Sequence, residues 1–218
     1  YTVGKIVLAD KTLKSKDEYA GIDSSNPPVA IICGVNEYGA AIGIALHISP
    51  SDLRWAKSGS TGYNTKFEGI ICTVQGGNAS TATFIGDIDG SDNWDYICSI
   101  DPEGTANAAE NYPAFHWVNT YNTTYASQFS GANIAWYMPS LAELCGVYKN
   151  REAINASLAK IHGHGNSYAD SSLGTSWFWS SSQAAYNDNN AWGVYFDYGN
   201  VSGLSKYDDC RVCCLAGF

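Results

Sequence analysis

The pattern of apolar and polar positions changes character twice along this 218-residue chain. Over the first ninety residues or so, short apolar runs alternate with turn residues, the pattern of hairpins. Lys5–Leu8 and the residues after Thr12 flank Ala9-Asp10-Lys11, and Val29–Val35 and Ala40–Leu46 flank Asn36-Glu37-Tyr38-Gly39. Each reads as an antiparallel pair. Phe67–Val74 and Ala82–Ile85 read as further strands, with Gly59-Ser60-Thr61-Gly62 and Gln75-Gly76-Gly77-Asn78 as loops. A helical section follows. It opens at Asp92–Ile100 and is expected to continue after Pro102 from Ala106 to about Tyr121. A better-marked helix opens at Ser140, where Pro139 precedes a good N-cap residue and Glu143 completes a capping box. Leu141, Leu144, Cys145 and Tyr148 share one face. The apolar phase slips at Lys149-Asn150-Arg151 and resumes at Ile154, Leu158 and Ile161, which predicts a kink or break, with Gly163 and Gly165 ending the helix.

In the tail the period shortens to two. Trp192, Val194 and Phe196 alternate with Gly193, Tyr195 and Asp197, the pattern of a half-buried strand. Asp197-Tyr198-Gly199-Asn200 makes the turn. Val212 and Cys214 repeat the inward pattern on the returning strand, which leaves Arg211 and Cys213 outward. No internal repeat or linker divides the chain, so residues 1–218 read as one α+β domain of short antiparallel strands and two main helical regions.

Composition supports a folded core: 45% of residues are hydrophobic, with 7 Trp and 15 Tyr. A net charge of -9 disfavours nucleic acid or an anionic membrane as partner, since both require a basic patch. No apolar run is long enough to span a membrane. The chain begins at Tyr1 without a signal peptide, so any export or lipid-attachment signal is expected upstream of it. The seven cysteines are odd in number and irregular in spacing, unlike a disulfide framework; Cys33, Cys72, Cys98 and Cys145 read as buried thiols.

Candidate chemistry is sparse. Asp87-Ile-Asp89-Gly-Ser-Asp92-Asn-Trp-Asp95 carries four carboxylates, but it lacks EF-hand spacing and reads as a turn leading into a helix start. His116 reads as a packed or surface histidine, and His162 and His164 have no partner ligands in sequence. A Cys210–Cys213 or Cys213–Cys214 pair would need two more ligands to hold a metal, and the local sequence offers none. There is no Ser-His-Asp spacing, nucleophile elbow or phosphate-binding loop. No catalytic residue, metal or cofactor is therefore expected.

The tail has a peculiar alphabet. Between Ala184 and Cys214 there is no Glu, Gln or Met, and only one Lys and one Trp. The residues between the apolar framework positions are Asn, Asp, Tyr, Ser, Gly, Ala, Leu and Cys, all reachable from an Asn codon by changing its two adenines. The framework reads Trp177-Phe178-Trp179-Ser180-Ser181-Ser182-Gln183, then Asn190-Ala191-Trp192-x-Val194-x-Phe196-x-x-Gly199-x-Val201, a Lys at 206, and Arg211-Val212. Together these resemble the variable region of diversity-generating retroelements, and most closely the treponemal variable proteins. The match is densest over residues 136 to 214, including Trp136-Tyr-Met-Pro-Ser-Leu-Ala-Glu-Leu; Val3–Asp10 and Phe115–Thr120 fit less specifically.

That resemblance implies a C-type lectin fold of the formylglycine-generating-enzyme type, with residues 184–214 as a variable ligand-binding region. It implies a surface-displayed protein that recognises an unknown protein or cell-surface ligand, at a bacterial surface or outside the cell, with membrane contact only through an upstream lipid anchor. The ligand-binding positions it implies are Tyr186, Asn187, Asp188, Gly193, Tyr195, Asp197, Tyr198, Asn200, Ser202, Gly203, Leu204, Ser205, Tyr207, Asp208 and Cys210. Trp177, Trp179, Trp192, Val194, Phe196, Gly199, Lys206, Arg211 and Val212 are the implied scaffold. The set is rich in Tyr, Ser, Gly, Asn and Asp, as antibody paratopes are, and Tyr186, Tyr195, Tyr198 and Tyr207 are the expected anchors. The signature triplets of calcium-dependent sugar-binding lectins, Glu-Pro-Asn, Gln-Pro-Asp and Trp-Asn-Asp, do not occur. The same fold also hosts oxidases that use a cysteine pair, so an enzyme of that type is the alternative; here Cys210 and Cys213 have the wrong spacing.

Overall fold

The N-terminal hairpins form where the alternation places them. In the computed structural model, which describes residues 1–218, β1 (Ile6–Leu8) pairs antiparallel with β2 (Leu13–Lys14), and β3 (Pro28–Val35) with β4 (Ala41–Ala45). β5 (Leu53–Arg54) and the four-residue helix α1 (Thr61–Asn64) follow. The stretch Phe67–Val74, expected as one strand, divides. Glu68–Ile70 forms a 3-10 turn, and β6 (Ile71–Gln75) then pairs with β7 (Thr83–Gly86). Gly69 has the Tyr96 ring against its backbone, a position that a side chain would fill.

The long helical section is broken up. α2 (Asn93–Ile100) forms, but the residues after it make four short pieces: α3 (Pro102–Ala106), α4 (Ala108–Asn111), α5 (Pro113–Asn119) and α6 (Tyr121–Thr124). Asp101, Asn107 and Tyr112 leave helical ψ at the first three junctions, and Pro113 has no N–H to continue the ladder. Tertiary packing holds the bends. The Tyr112 hydroxyl donates to Asp101 Oδ2 at 2.7 Å, and Trp94 stacks on Phe115 with ring centroids 5.0 Å apart.

The capping box at Ser140 is complete. Ser140 Oγ accepts from the Glu143 N–H, and Glu143 Oε2 accepts from the Ser140 N–H at 2.9 Å. α7 (Leu141–Lys149) buries the four residues that share its apolar face. The phase slip is a true break: α8 (Arg151–His164) begins after Asn150, whose side-chain amide donates to the Cys33 carbonyl. Gly163 lies within the helix and Gly165 caps it.

The remaining strands are β8 (Trp177–Ala184), β9 (Asn190–Tyr195), β10 (Val201–Ser205), β11 (Asp209–Cys210) and β12 (Leu215–Gly217). Two five-stranded sheets result, ordered β12-β4-β3-β1-β2 and β10-β9-β8-β6-β7, with β11 and β5 forming a small third. The architecture is mixed α+β, and no helix is long and apolar enough to cross a membrane.

There are two cores, one on each side of the sheets. Ile31 and Cys33 of β3 enter the core built on α7 and α8, whereas Ala30 and Ile32 enter the aromatic core around Trp55, Tyr112 and Phe115. The end of the chain alternates between the same two cores. Val212, Cys214 and Ala216 face the aromatic core, and Cys213 and Leu215 face the other. This corrects the expected outward placement of Cys213, which is 1% exposed: a segment between two cores has no outward side. The returning strand after the 197–200 turn is likewise β10 rather than residues 211–214.

Candidate functional site

The β9–β10 hairpin puts Gly193 opposite Ser202, Trp192 opposite Gly203, and Ala191 opposite Leu204. Cross-strand partners point to the same side of a sheet. Gly193, Tyr195, Ser202 and Leu204 therefore share one side, with Trp177 opposite Tyr195 on β8. Gly203 and Ser205 lie on the side of Trp192 and Val194. The expected ligand-binding positions thus divide between two sides of an edge hairpin, joined by the turn at Asp197, Tyr198 and Asn200.

Both sides carry aromatic contacts. On the first, Trp177 stacks on Tyr195 (5.2 Å, 22°), and Tyr195 meets Tyr198 at 6.0 Å. On the second, Tyr186 meets Trp192 edge-on at 5.8 Å. Tyr186, Asn187, Asp188, Asp197, Tyr198, Asn200 and Tyr207 are exposed, while Tyr195, Ser202, Gly203, Leu204, Ser205 and Asp208 are partly so.

Two expected ligand-binding positions are buried instead. Gly193 lies under Leu204, where an added Cβ would sit 2.8 Å from Leu204 Cδ1 and 3.0 Å from the Phe178 carbonyl oxygen. Cys210 is 3% exposed because β11 pairs with β5 and carries it into the aromatic core. Burial, followed by the Asp208, Asp52 and Asp209 carboxylates, pushes its thiol well above the ordinary range.

The scaffold positions are held firmly. The indole N–H groups of Trp179 and Trp192 donate to the carbonyls of Leu53 (2.8 Å) and Cys72 (2.7 Å). Val194, Phe196 and Val212 are at most 2% exposed. Gly199 takes φ 79° with the Tyr148 ring packed against it, so both its conformation and the space require glycine. The Arg211 guanidinium donates to the Ser49 carbonyl and pairs with Asp52 at 2.8 Å. Trp177 is only partly buried and borders the first side as a fixed aromatic.

Lys206 is completely buried. Its ammonium donates to the carbonyls of Gly62 (3.0 Å) and Thr65 (2.7 Å) and lies over the Trp55 and Phe67 rings at 4.7 and 4.9 Å. No carboxylate is paired with it, and burial lowers its pKa to about 7. The lysine thereby fastens α1 to the tail. Asn189 adds a bond to the Tyr63 carbonyl, and the Tyr63 ring rests against Tyr207 at 5.9 Å.

Sequence reasoning missed one part of this site and gave another no role beyond framework. Tyr63 sits in a short helix whose one local mark is the Ser60 N-cap. The other part is the run Ser180-Ser181-Ser182-Gln183, which is fully buried and bonded throughout. Ser180 Oγ donates to the Trp192 carbonyl, and Ser181 Oγ faces the Met138 and Pro139 carbonyls. Ser182 Oγ donates to Asp87 and accepts from the Leu141 N–H. The Gln183 amide nitrogen lies 2.9 Å from the carbonyls of both Asn187 and Asn190 and 3.3 Å from that of Asp188, which fixes the loop carrying Tyr186.

The other candidate groups lie elsewhere. Asp87, raised to about 6 chiefly by burial, accepts from Ser182 and Asn93, and Asp89 from the Ser91 N–H. His162 Nδ1 faces the Ala169 carbonyl, while His164 meets the Tyr19 ring. His47, which the sequence reading passed over, has Asp170 Oδ1 at 3.2 Å and Gln128 Oε1 at 3.0 Å, one on each ring nitrogen. That arrangement ties loops together and aims at no nucleophile. A cavity of about 570 Å³ between β3, β7 and α7 includes no residue of the 184–214 region. A second cavity, of about 480 Å³, meets that region only at Arg211, so the tail presents mainly surface.

No family model, curated protein or solved structure matches the chain.

Proposed function

We propose that this chain is the ligand-binding protein of a diversity-generating retroelement. In this reading it carries a C-type lectin fold of the formylglycine-generating-enzyme type, is displayed at a bacterial surface, and acts by recognition. One observation carries the proposal: thirteen of the fifteen restricted-alphabet positions are exposed or partly so, Gly193 and Cys210 being the exceptions. Tyr186, Asn187, Asp188, Asp197, Tyr198, Asn200 and Tyr207 face solvent, whereas Trp179, Trp192, Val194, Phe196, Gly199, Lys206 and Val212 between and beside them are buried. A surface diversified without loss of fold requires this separation. The fold assignment draws support from the shared sheet of β1 and β12, which brings strands from both ends of the chain together.

The physics suits binding. Rigid tyrosines provide contact area at low entropic cost, and short polar side chains adapt their hydrogen bonds. Buried bonds from Gln183 and Lys206 hold the display loops, which lowers the ordering cost of association. The partner is an unidentified protein or other cell-surface ligand. The cysteine-pair oxidase alternative has less support. Cys210 and Cys213 enter different cores, and burial raises both thiols, Cys213 to about 12.

Deep sequencing of the locus from one bacterial population tests the proposal. The expected result is substitution clustered within codons 184–214 and confined to adenines of a neighbouring template copy. A tail identical in every cell, with no template copy nearby, would overturn it.

A further inference from the structure

We infer that residues 203 and 193 act as hidden shape selectors, setting how the side chains at 186 and 204 are presented to a partner. The inference rests on the diversified-receptor reading for its biological meaning, but its geometry stands without it. An ideal Cβ built on Gly203 overlaps the Tyr186 hydroxyl and lies 2.7 Å from Tyr186 Cζ, well inside carbon–carbon contact. The hydroxyl end of Tyr186 therefore reaches over Gly203, with the ring edge-on to Trp192, because position 203 is glycine.

Every other residue that adenine changes in an Asn codon produce carries a Cβ. Tyr186 is 64% exposed, so its ring has room to swing outward when that atom appears. Position 203 then chooses between two reliefs. Glycine gives a low surface suited to a flat partner, and any other residue lifts an aromatic ring suited to a partner's cleft.

The second pair is stricter. Leu204 can rotate away from a Cβ at position 193, but the Phe178 carbonyl 3.0 Å from that Cβ belongs to β8, in the middle of its sheet. A residue other than glycine at 193 therefore has to turn the Leu204 side chain aside and also shift the β8 backbone by a few tenths of an ångström. Both pairs matter because recognition here has to use side chains. β10 is an edge strand, yet its outward backbone is occupied near both ends. The Val201 N–H donates to the Gly77 carbonyl, the Ser205 N–H to Asp208 Oδ2, and the Asp208 N–H to the Ser205 carbonyl. A partner strand has little left to pair with.

The test is a double-mutant cycle with NMR. Gly203→Val and the milder Gly203→Ala are made in the parent and in Tyr186→Ala. In the parent background, each substitution at 203 should abolish the Tyr186–Trp192 ring cross-peaks. Gly203→Val should also lower Tm by about 2–4 °C relative to its effect in the Tyr186→Ala background. Cross-peaks that persist, with equal Tm effects in both backgrounds, would overturn the inference. Population sequences separate it from the parent reading. A diversified tail in which 186 and 203 vary independently, as do 193 and 204, would refute shape selection and leave the receptor standing. An invariant tail would refute the receptor, while the cycle would still decide the coupling.

Discussion

Two polar stretches lie side by side in this molecule and do opposite things. Ser180-Ser181-Ser182-Gln183 of β8 is wholly buried, and each side chain has a partner. Asn187, Asp188, Asp197 and Asn200, on the neighbouring loop and turn, face water. The contrast shows that polarity alone does not mark a surface. A buried polar group fixes one geometry because leaving it unpaired is costly, whereas an exposed one exchanges its bonds with water and tolerates replacement.

The sharpest break of that contrast is Gln183→Ala. It should strip donors from the carbonyls of the Asn187–Asn190 loop and cost about 2–4 kcal/mol, measured by urea unfolding. Next is Lys206. Lys206→Ala leaves two carbonyls unpaired and a void beside Trp55 and Phe67, with an expected loss of about 2–3 kcal/mol. Lys206→Met keeps the volume and removes a buried charge, so it should cost about 1 kcal/mol or less by the same assay.

Lys206 also has a pH signature. Its folded pKa is lowered to about 7 from the ordinary 10.5, so between those values the unfolded chain binds the extra proton. Its contribution to stability therefore rises with pH above about 7, is lost as pH falls toward 7, and is flat below. Parent and Lys206→Met unfolding compared from pH 6 to 9 should show this slope in the parent alone. Equal slopes would mean that the two aromatic rings keep the ammonium charged throughout. The smallest effects belong to the exposed stretch: Asn187→Ala, Asp188→Ala and Asn200→Ala should each stay within about 0.5 kcal/mol of the parent.

Local order was legible in the sequence. The Asn36–Gly39 hairpin, the Ser140–Glu143 box and the break at Asn150 all depend on residues within a few positions of one another. The alternation of Trp192, Val194 and Phe196 located the strand and its inward side. What was hidden depends on distant partners. Cys210 looked variable by its residue type, and only pairing with Leu53 buries it. Ser182 reads as framework, but the partners that hold it, Asp87 and the Leu141 N–H, come from distant parts of the chain. The helical section after Pro102 fragments because aromatic packing around Tyr112 and Trp94 outweighs helix continuity. Gly193 and Gly203 fitted the variable alphabet, and their crowding by Leu204 and Tyr186 became visible only with the hairpin register.

If the proposed function holds, a fixed, internally bonded frame carries a surface free to change. A display library randomised one position at a time over residues 177–214, and sorted for protease resistance, tests it most directly. Broad tolerance is expected at Asn187, Asp188, Asp197, Tyr198, Asn200 and Tyr207, and strong depletion at Trp179, Ser182, Gln183, Trp192, Gly199 and Lys206. Equal tolerance in the two groups, or depletion at the exposed positions, would contradict it.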